Sequence, residues 1–134
     1  MQNNSNIQQS DDILIQWLTF SLNNETYGVE VLKVREALRP IEIATVPGSP
    51  DHVIGIINLR GQVITVNNLR LLLGLPYTDV TDNSRIILLE AADHTQGILA
   101  DSVSEIVNIN TPEIDYSTIQ NDDNNQYFIG TFKH

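Results

Sequence analysis

The stretch VIGIINLRGQVITVNNLRLLLG, Val53 to Gly74, is apolar nearly throughout and is broken once, by Arg60-Gly61 at its middle. Two apolar arms about a short polar break read as a hairpin. Glycine supplies the backbone freedom that a tight turn requires, so Gly61 fits the tip and Arg60 points its guanidinium outward. The second arm runs into NNLRLLLG, where Asn67 or Asn68 can cap a short helix. Leu69, Leu72 and Leu73 then share one face, Gly74 stops the helix, and Pro76 follows where no helix can continue.

Working outward, strand signals dominate. WLTFSL alternates Leu18, Phe20 and Leu22 against Thr19 and Ser21, and TYGVEV resumes with Tyr27, Val29 and Val31 on one face. NNE, Asn23 to Glu25, supplies the turn between them, because asparagine tolerates positive φ. SRIILLEA and TQGILADSV form a second hairpin about ADH. Val31, Val34 and Leu38, like Ala100, Val103 and Val107, follow an i, i+3, i+7 spacing that reads as core on a helical turn or bent strand. Ser102-Val103-Ser104-Glu105 matches a capping box. Ile57, Leu59 and Val63 around the turn are expected to pack in the core. The chain is mainly β.

It also repeats itself. YGVEVLKVREAL from Tyr27 matches QGILADSVSEIV from Gln96 at an offset of 69, pairing Gly28 with Gly97, Val34 with Val103 and Glu36 with Glu105. HVIG, ending at Gly55, is echoed by YFIG, ending at Gly130. Chance similarity among Val- and Ile-rich strands is one reading; the co-aligned Gly and Glu favour two related β units. After Gly55 the first continues through a strand and a helix, whereas after Gly130 only TFKH remains. The second unit is therefore expected to lack its last strand and helix, leaving an edge open to self-association.

Composition narrows the function. The 134 residues suffice for one domain, and 41% apolar residues suffice for a core. There is no cysteine, hence no disulfide or thiolate site. Residues 1–12, MQNNSNIQQSDD, lack the basic and apolar regions of a secretion signal and read as a disordered tail. No apolar run spans a bilayer, so no membrane insertion is expected and the cytoplasm is the expected location. A net charge of −10 argues against nucleic acid. The charge is uneven: residues 1–78 carry 7 acids and 5 bases, residues 79–134 carry 10 acids and 2 bases. No calcium loop, paired-histidine motif, phosphate loop or nucleophile elbow occurs, so neither metal, cofactor nor catalytic residue is assigned.

YGVEVLKVREAL, the block VPGSPDHVIGIINLRGQVITVNNLRLLLGLP and GILADSVSEIVNI together resemble the CheW family of bacterial chemotaxis coupling proteins, from about Trp17 to Gly130. The resemblance implies two SH3/OB-like five-stranded β-barrels side by side, the second here lacking its C-terminal strand and helix. It implies one domain over 13–134, with 13–78 mostly the first barrel and 79–134 mostly the second. The family has no known catalysis. Its members bind the regulatory domain of the histidine kinase CheA and the cytoplasmic tip of methyl-accepting chemoreceptors. Carried over residue by residue, Arg60 and Glu36 are receptor contacts, and Val34 and Val103 line an inter-barrel groove for the receptor's helical tip. Gly55, Gly61 and Asn68 are structural; the family usually has Asp where Asn68 stands, and Asn caps a helix about as well. The expected function is a non-catalytic adaptor between receptor and kinase. The alternatives are a CheW-like piece or truncated paralogue of a larger signalling protein, and a small-ligand-binding β-barrel.

Overall fold

The computed structural model describes residues 14–91, 93–110 and 129–132. The 1–12 tail, Asp122, Asp123 and His134 lie outside these residues. The strands are β1 (Leu14–Leu22), β2 (Glu25–Glu30), β3 (Val34–Leu38), β4 (Val53–Leu59), β5 (Gln62–Asn67), β6 (Arg85–Ala91), β7 (His94–Ala100), β8 (Ser102–Asn110) and β9 (Ile129–Phe132). A 3-10 turn, Val31–Lys33, links β2 to β3, and one helix, α1 (Leu69–Leu72), follows β5. Two sheets result, of order β8-β1-β2-β9 and β3-β6-β7-β5-β4.

Sheet membership does not divide at residue 78. The middle of the chain, β3 to β7, builds the five-stranded sheet, while β1, β2, β8 and β9 from either side build the four-stranded one. The internal echo explains why. Each copy is a strand, a sharp corner and a strand, and each corner carries the chain from one sheet to the other: β2 to β3, then β7 to β8 back again. Gly28 and Gly97, echo partners, both sit buried in mid-strand. A Cβ at Gly97 would crowd Ile86 and Leu88. Strand β9 pairs with β2 through Gly28↔Gly130. Among the described residues the four-stranded sheet thus has one strand fewer than its companion.

Alternation sorts the side chains into two cores. Ile57, Ile64, Val66, Ile86 and Leu88 fill the inner face of the five-stranded sheet. Ile87, Leu89, Ile98 and Ala100 on its outer face meet Phe20, Leu22, Tyr27 and Val29 of the four-stranded sheet, with Leu69 of α1. That second cluster joins the sheets. Both cores are made of fully buried aliphatic and aromatic side chains, each contributing about 1.5–3 kcal/mol.

Several local expectations are corrected. Asn23 and Asn24 alone form the β1–β2 turn, at φ 54 and 67, and Glu25 already pairs with Leu22. Thr19, at the register shift between Leu18 and Phe20, is buried, and its hydroxyl donates to the Glu105 carbonyl at 2.9 Å. Ser102 to Glu105 begin a strand, so no capping box forms. Val63 is 61% exposed, where it was expected to pack in the core. Val31 belongs to the 3-10 turn, and Val34 and Leu38 pack against different cores, so their helical spacing is coincidental.

Candidate functional site

The Arg60-Gly61 break is a two-residue turn closed by the pair Leu59↔Gln62. Arg60 has φ 51 and Gly61 φ 83, the two left-handed conformations of a type I′ hairpin turn. Glycine adopts this freely; an arginine there costs on the order of 1 kcal/mol. The turn is therefore built around a residue poorly suited to it. Its side chain reaches across the ends of the five-stranded sheet, from the tip of β4 to the opposite edge strand β3, where Nη2 donates to Glu36 Oε1 at 2.5 Å. A bridge between Ala44 and Ile56 also reaches β4's free edge, so the sheet curls and its edges are tied.

Exposure decides what this ion pair is for. The Arg60 side chain is 67% and that of Glu36 36% exposed, and such pairs contribute about 1 kcal/mol or less to stability. The guanidinium spends one of its five donors on Glu36. Among the described residues it has no other polar partner, leaving a planar fork turned to solvent.

The remaining assigned residues do not gather around this pair. Val34 lies two residues before Glu36, yet the bulge between them sends the two side chains to opposite faces. Val34, paired with Leu89, packs half-buried on the core that joins the sheets. Val103, its echo partner, does the same from β8, opposite Phe20. The two valines thus border one inter-sheet core, while Arg60 and Glu36 stand at the mouth of the other. Asn68 caps α1, its Oδ1 accepting from the Leu71 N–H at 3.1 Å. At Gly55 a Cβ would collide with the backbone of Ala44, so only glycine admits that crossing.

One charged residue was missed. Arg70 is 8% exposed and grips Asp101 with a fork, Nη2 to Oδ2 at 2.5 Å and Nε to Oδ1 at 3.3 Å, while Nη1 donates to the Pro76 carbonyl at 2.6 Å. Asp101 Oδ2 also accepts from the Asn23 N–H at 2.9 Å. The pair ties α1, the β7–β8 corner and the β1–β2 turn together. A signal was available in the sequence: an arginine inside the apolar run LRLLLG must either escape to water or find an acid.

An open cleft of about 230 Å³ lies beside this pair, lined by Asp51, Tyr77, Asp79, Val80 and Leu99 among others. A hydrogen bond to Asp79 raises the Tyr77 phenol above its usual value. No group of three metal-ligating side chains occurs among the described residues. No helix there is long and apolar enough to cross a membrane. The geometry suits recognition, with one fixed cation at one end of the sheet.

Residues 16–134 match the family model described as CheW-like domain. The chain is 30% identical over 125 residues to a chemotaxis protein CheW of Helicobacter pylori, covering 92% of this chain and 76% of that one. A chemotaxis protein CheW of Bacillus subtilis is 32% identical over 98 residues, covering 73% of this chain and 63% of that protein. In structure the chain resembles the scaffolding protein TtCheW of Thermoanaerobacter tengcongensis, with a TM-score of 0.73, 31% identity, and coverage of 81% of this chain and 73% of that one. With the family model spanning nearly the whole sequence and the interleaved two-sheet architecture matching a solved relative, the chain belongs to the CheW-like domain family.

Proposed function

We propose that this protein is a chemotaxis adaptor that holds a methyl-accepting chemoreceptor beside the histidine kinase CheA in the cytoplasm. Relatives of this chain carry the name chemotaxis protein CheW, and one solved relative is described as a scaffold. The observation that carries the reading at residue level is the Arg60 turn, where an exposed cation is displayed in a conformation that arginine disfavours. In this reading Arg60 and Glu36 contact the receptor, and Val34 and Val103 receive its helical tip in the groove between the sheets. An adaptor acts by raising local concentration and fixing orientation, so its work is geometric and non-catalytic.

The test is a three-component assembly. Receptor cytoplasmic fragments and CheA, mixed with and without this chain, are separated by sedimentation. The chain should carry CheA into the receptor fraction, and Arg60→Glu should abolish that transfer while leaving the circular dichroism spectrum unchanged. Equal transfer with and without the chain rejects the adaptor role; equal transfer by wild type and Arg60→Glu rejects only the arginine's part in it.

A further inference from the structure

A second arginine, Arg35 of β3, stands with Arg60 at the mouth of the inner core. Strand alternation alone sends Arg35 and Glu36, neighbours in sequence, to opposite faces. The register overrides it: Val34 pairs with Leu89 and Glu36 with Leu88, so Arg35 is the extra residue of a bulge. Such a residue drops out of the ladder and its side chain is re-aimed. Arg35 Nε lies 3.2 Å from Glu90 Oε2, and its Nη1 donates to Thr95 Oγ1 at 3.1 Å. The Thr95 hydroxyl donates in turn to Glu90 Oε2 at 3.4 Å.

These partners lie on the inner face. Glu90 shares its face of β6 with Ile86 and Leu88, and Thr95 shares its face of β7 with Leu99, all packed in or against the inner core. Glu90 and Thr95 are paired directly. Glu36 lies opposite Leu88, so Glu90 is its diagonal neighbour, roughly 7–8 Å away. Two backbone irregularities, a left-handed turn residue and a bulge, thus bring two arginines and two glutamates to one mouth. Their signs alternate around it: Arg60, Glu36, Arg35, Glu90.

The Arg35 and Glu90 side chains are 48% and 47% exposed, so this pair, like Arg60–Glu36, contributes little to stability. Among the described residues Arg35 Nη2 has no polar partner, so a second guanidinium keeps donors for an incoming acid. The wider charge pattern favours an acidic visitor here. Five of the seven basic residues lie between Lys33 and Arg70, and of those five only Arg70 is buried, in a chain of net charge −10. We propose that Arg35 is a second receptor contact, and that the mouth reads a pair of carboxylates on the receptor, one at each arginine, in exchange for Glu36 and Glu90. This assignment rests on the receptor reading of Arg60 and adds the partner's chemistry: an acidic pair, not a single acid.

The experiment titrates a receptor cytoplasmic fragment into the full chain by calorimetry, at two salt concentrations. Arg35→Gln should lower the affinity by about fivefold and flatten its salt dependence, with an unchanged circular dichroism spectrum. Glu90→Gln should act in the opposite direction, raising the affinity about twofold, because it releases the Arg35 fork. Asp51→Asn, exposed at the far end of the sheet, removes the same charge away from the mouth and serves as the control for net charge.

A pair that merely ties β3 to β6 is broken equally by either substitution, so affinity lost in both Arg35→Gln and Glu90→Gln overturns the proposal. A gain in Glu90→Gln no larger than that in Asp51→Asn does the same, because Glu90 is then not displaced. Unchanged binding by Arg35→Gln also overturns it; a loss in Arg60→Glu within the same series leaves the adaptor reading standing. A wild-type chain that does not bind the fragment removes both.

Discussion

Two arginine–carboxylate pairs stand at opposite ends of the five-stranded sheet, roughly 20 Å apart by strand length. Each is closed by a contact of 2.5 Å. Arg70 is almost fully buried, commits three of its N–H groups, and joins three segments of the chain. Arg60 is mostly exposed, commits one, and sits on a two-residue turn that restrains little else. The ion pair is the same in kind, and the environment assigns it a different task. Removing water makes a charge dependent on its partner; leaving it in water makes the partner exchangeable. An exposed pair can give up its carboxylate to an incoming one at little cost, which is what a recognition site requires.

The comparison breaks first on stability. Arg70→Met leaves Asp101 without its cation and the Pro76 carbonyl without its donor, and should cost about 3 kcal/mol. That is a fall on the order of 10 °C in Tm. Arg60→Met should cost less than about 1 kcal/mol. Thermal melts of the two variants side by side decide it, and equal losses would show that burial does not separate the pairs.

Binding should reverse that ranking. Arg60→Glu sets two carboxylates against each other at the mouth of the sheet and removes the free fork, so affinity for a receptor fragment should fall by at least about tenfold, or 1.4 kcal/mol. A matched titration by calorimetry measures it. Unchanged affinity would return Arg60 to the status of a hairpin ornament.

Gly61→Ala sharpens the contrast between turn and side chain. Nothing lies within 4 Å of the added Cβ, so any loss comes from the left-handed backbone alone, about 1–2 kcal/mol. Chemical denaturation should show that loss with an unchanged slope.

The hairpins were legible because alternation and turn chemistry are local: Asn23-Asn24, Arg60-Gly61 and the Asn68 cap are read from neighbours a few residues apart. The echo at offset 69 was legible too, as paired Gly28/Gly97 and Val34/Val103. Which sheet each copy joins was not, since the exchange of sheets at the corners depends on pairing between β1 and β8, some 90 residues apart in the chain. Arg70–Asp101 and Asn67–Gln96 were hidden for the same reason. The first joins α1 to the β7–β8 corner and the second joins two strands, and a single polar letter in an apolar run does not name its partner. Val63 was misread because strand alternation says which residues share a face but not how far the neighbouring sheet covers it.

The finest test separates Arg60's backbone from its side chain. Asn23 and Asn24 show what residue a left-handed turn position prefers in this protein. Asparagine hydrogen-bonds locally and visits that region more readily than arginine. Arg60→Asn should therefore relieve turn strain while forfeiting an exposed ion pair, two terms each of about 1 kcal/mol or less and opposite in sign. Net stability should move by no more than about 0.5 kcal/mol. Binding of a receptor fragment should nevertheless fall about as far as in a simple deletion of the charge, because the turn still forms but presents no fork. A variant that melts like the wild type yet fails to bind would assign the guanidinium to recognition. One that melts like the wild type and binds like it would mean the turn's shape, not its cation, meets the partner.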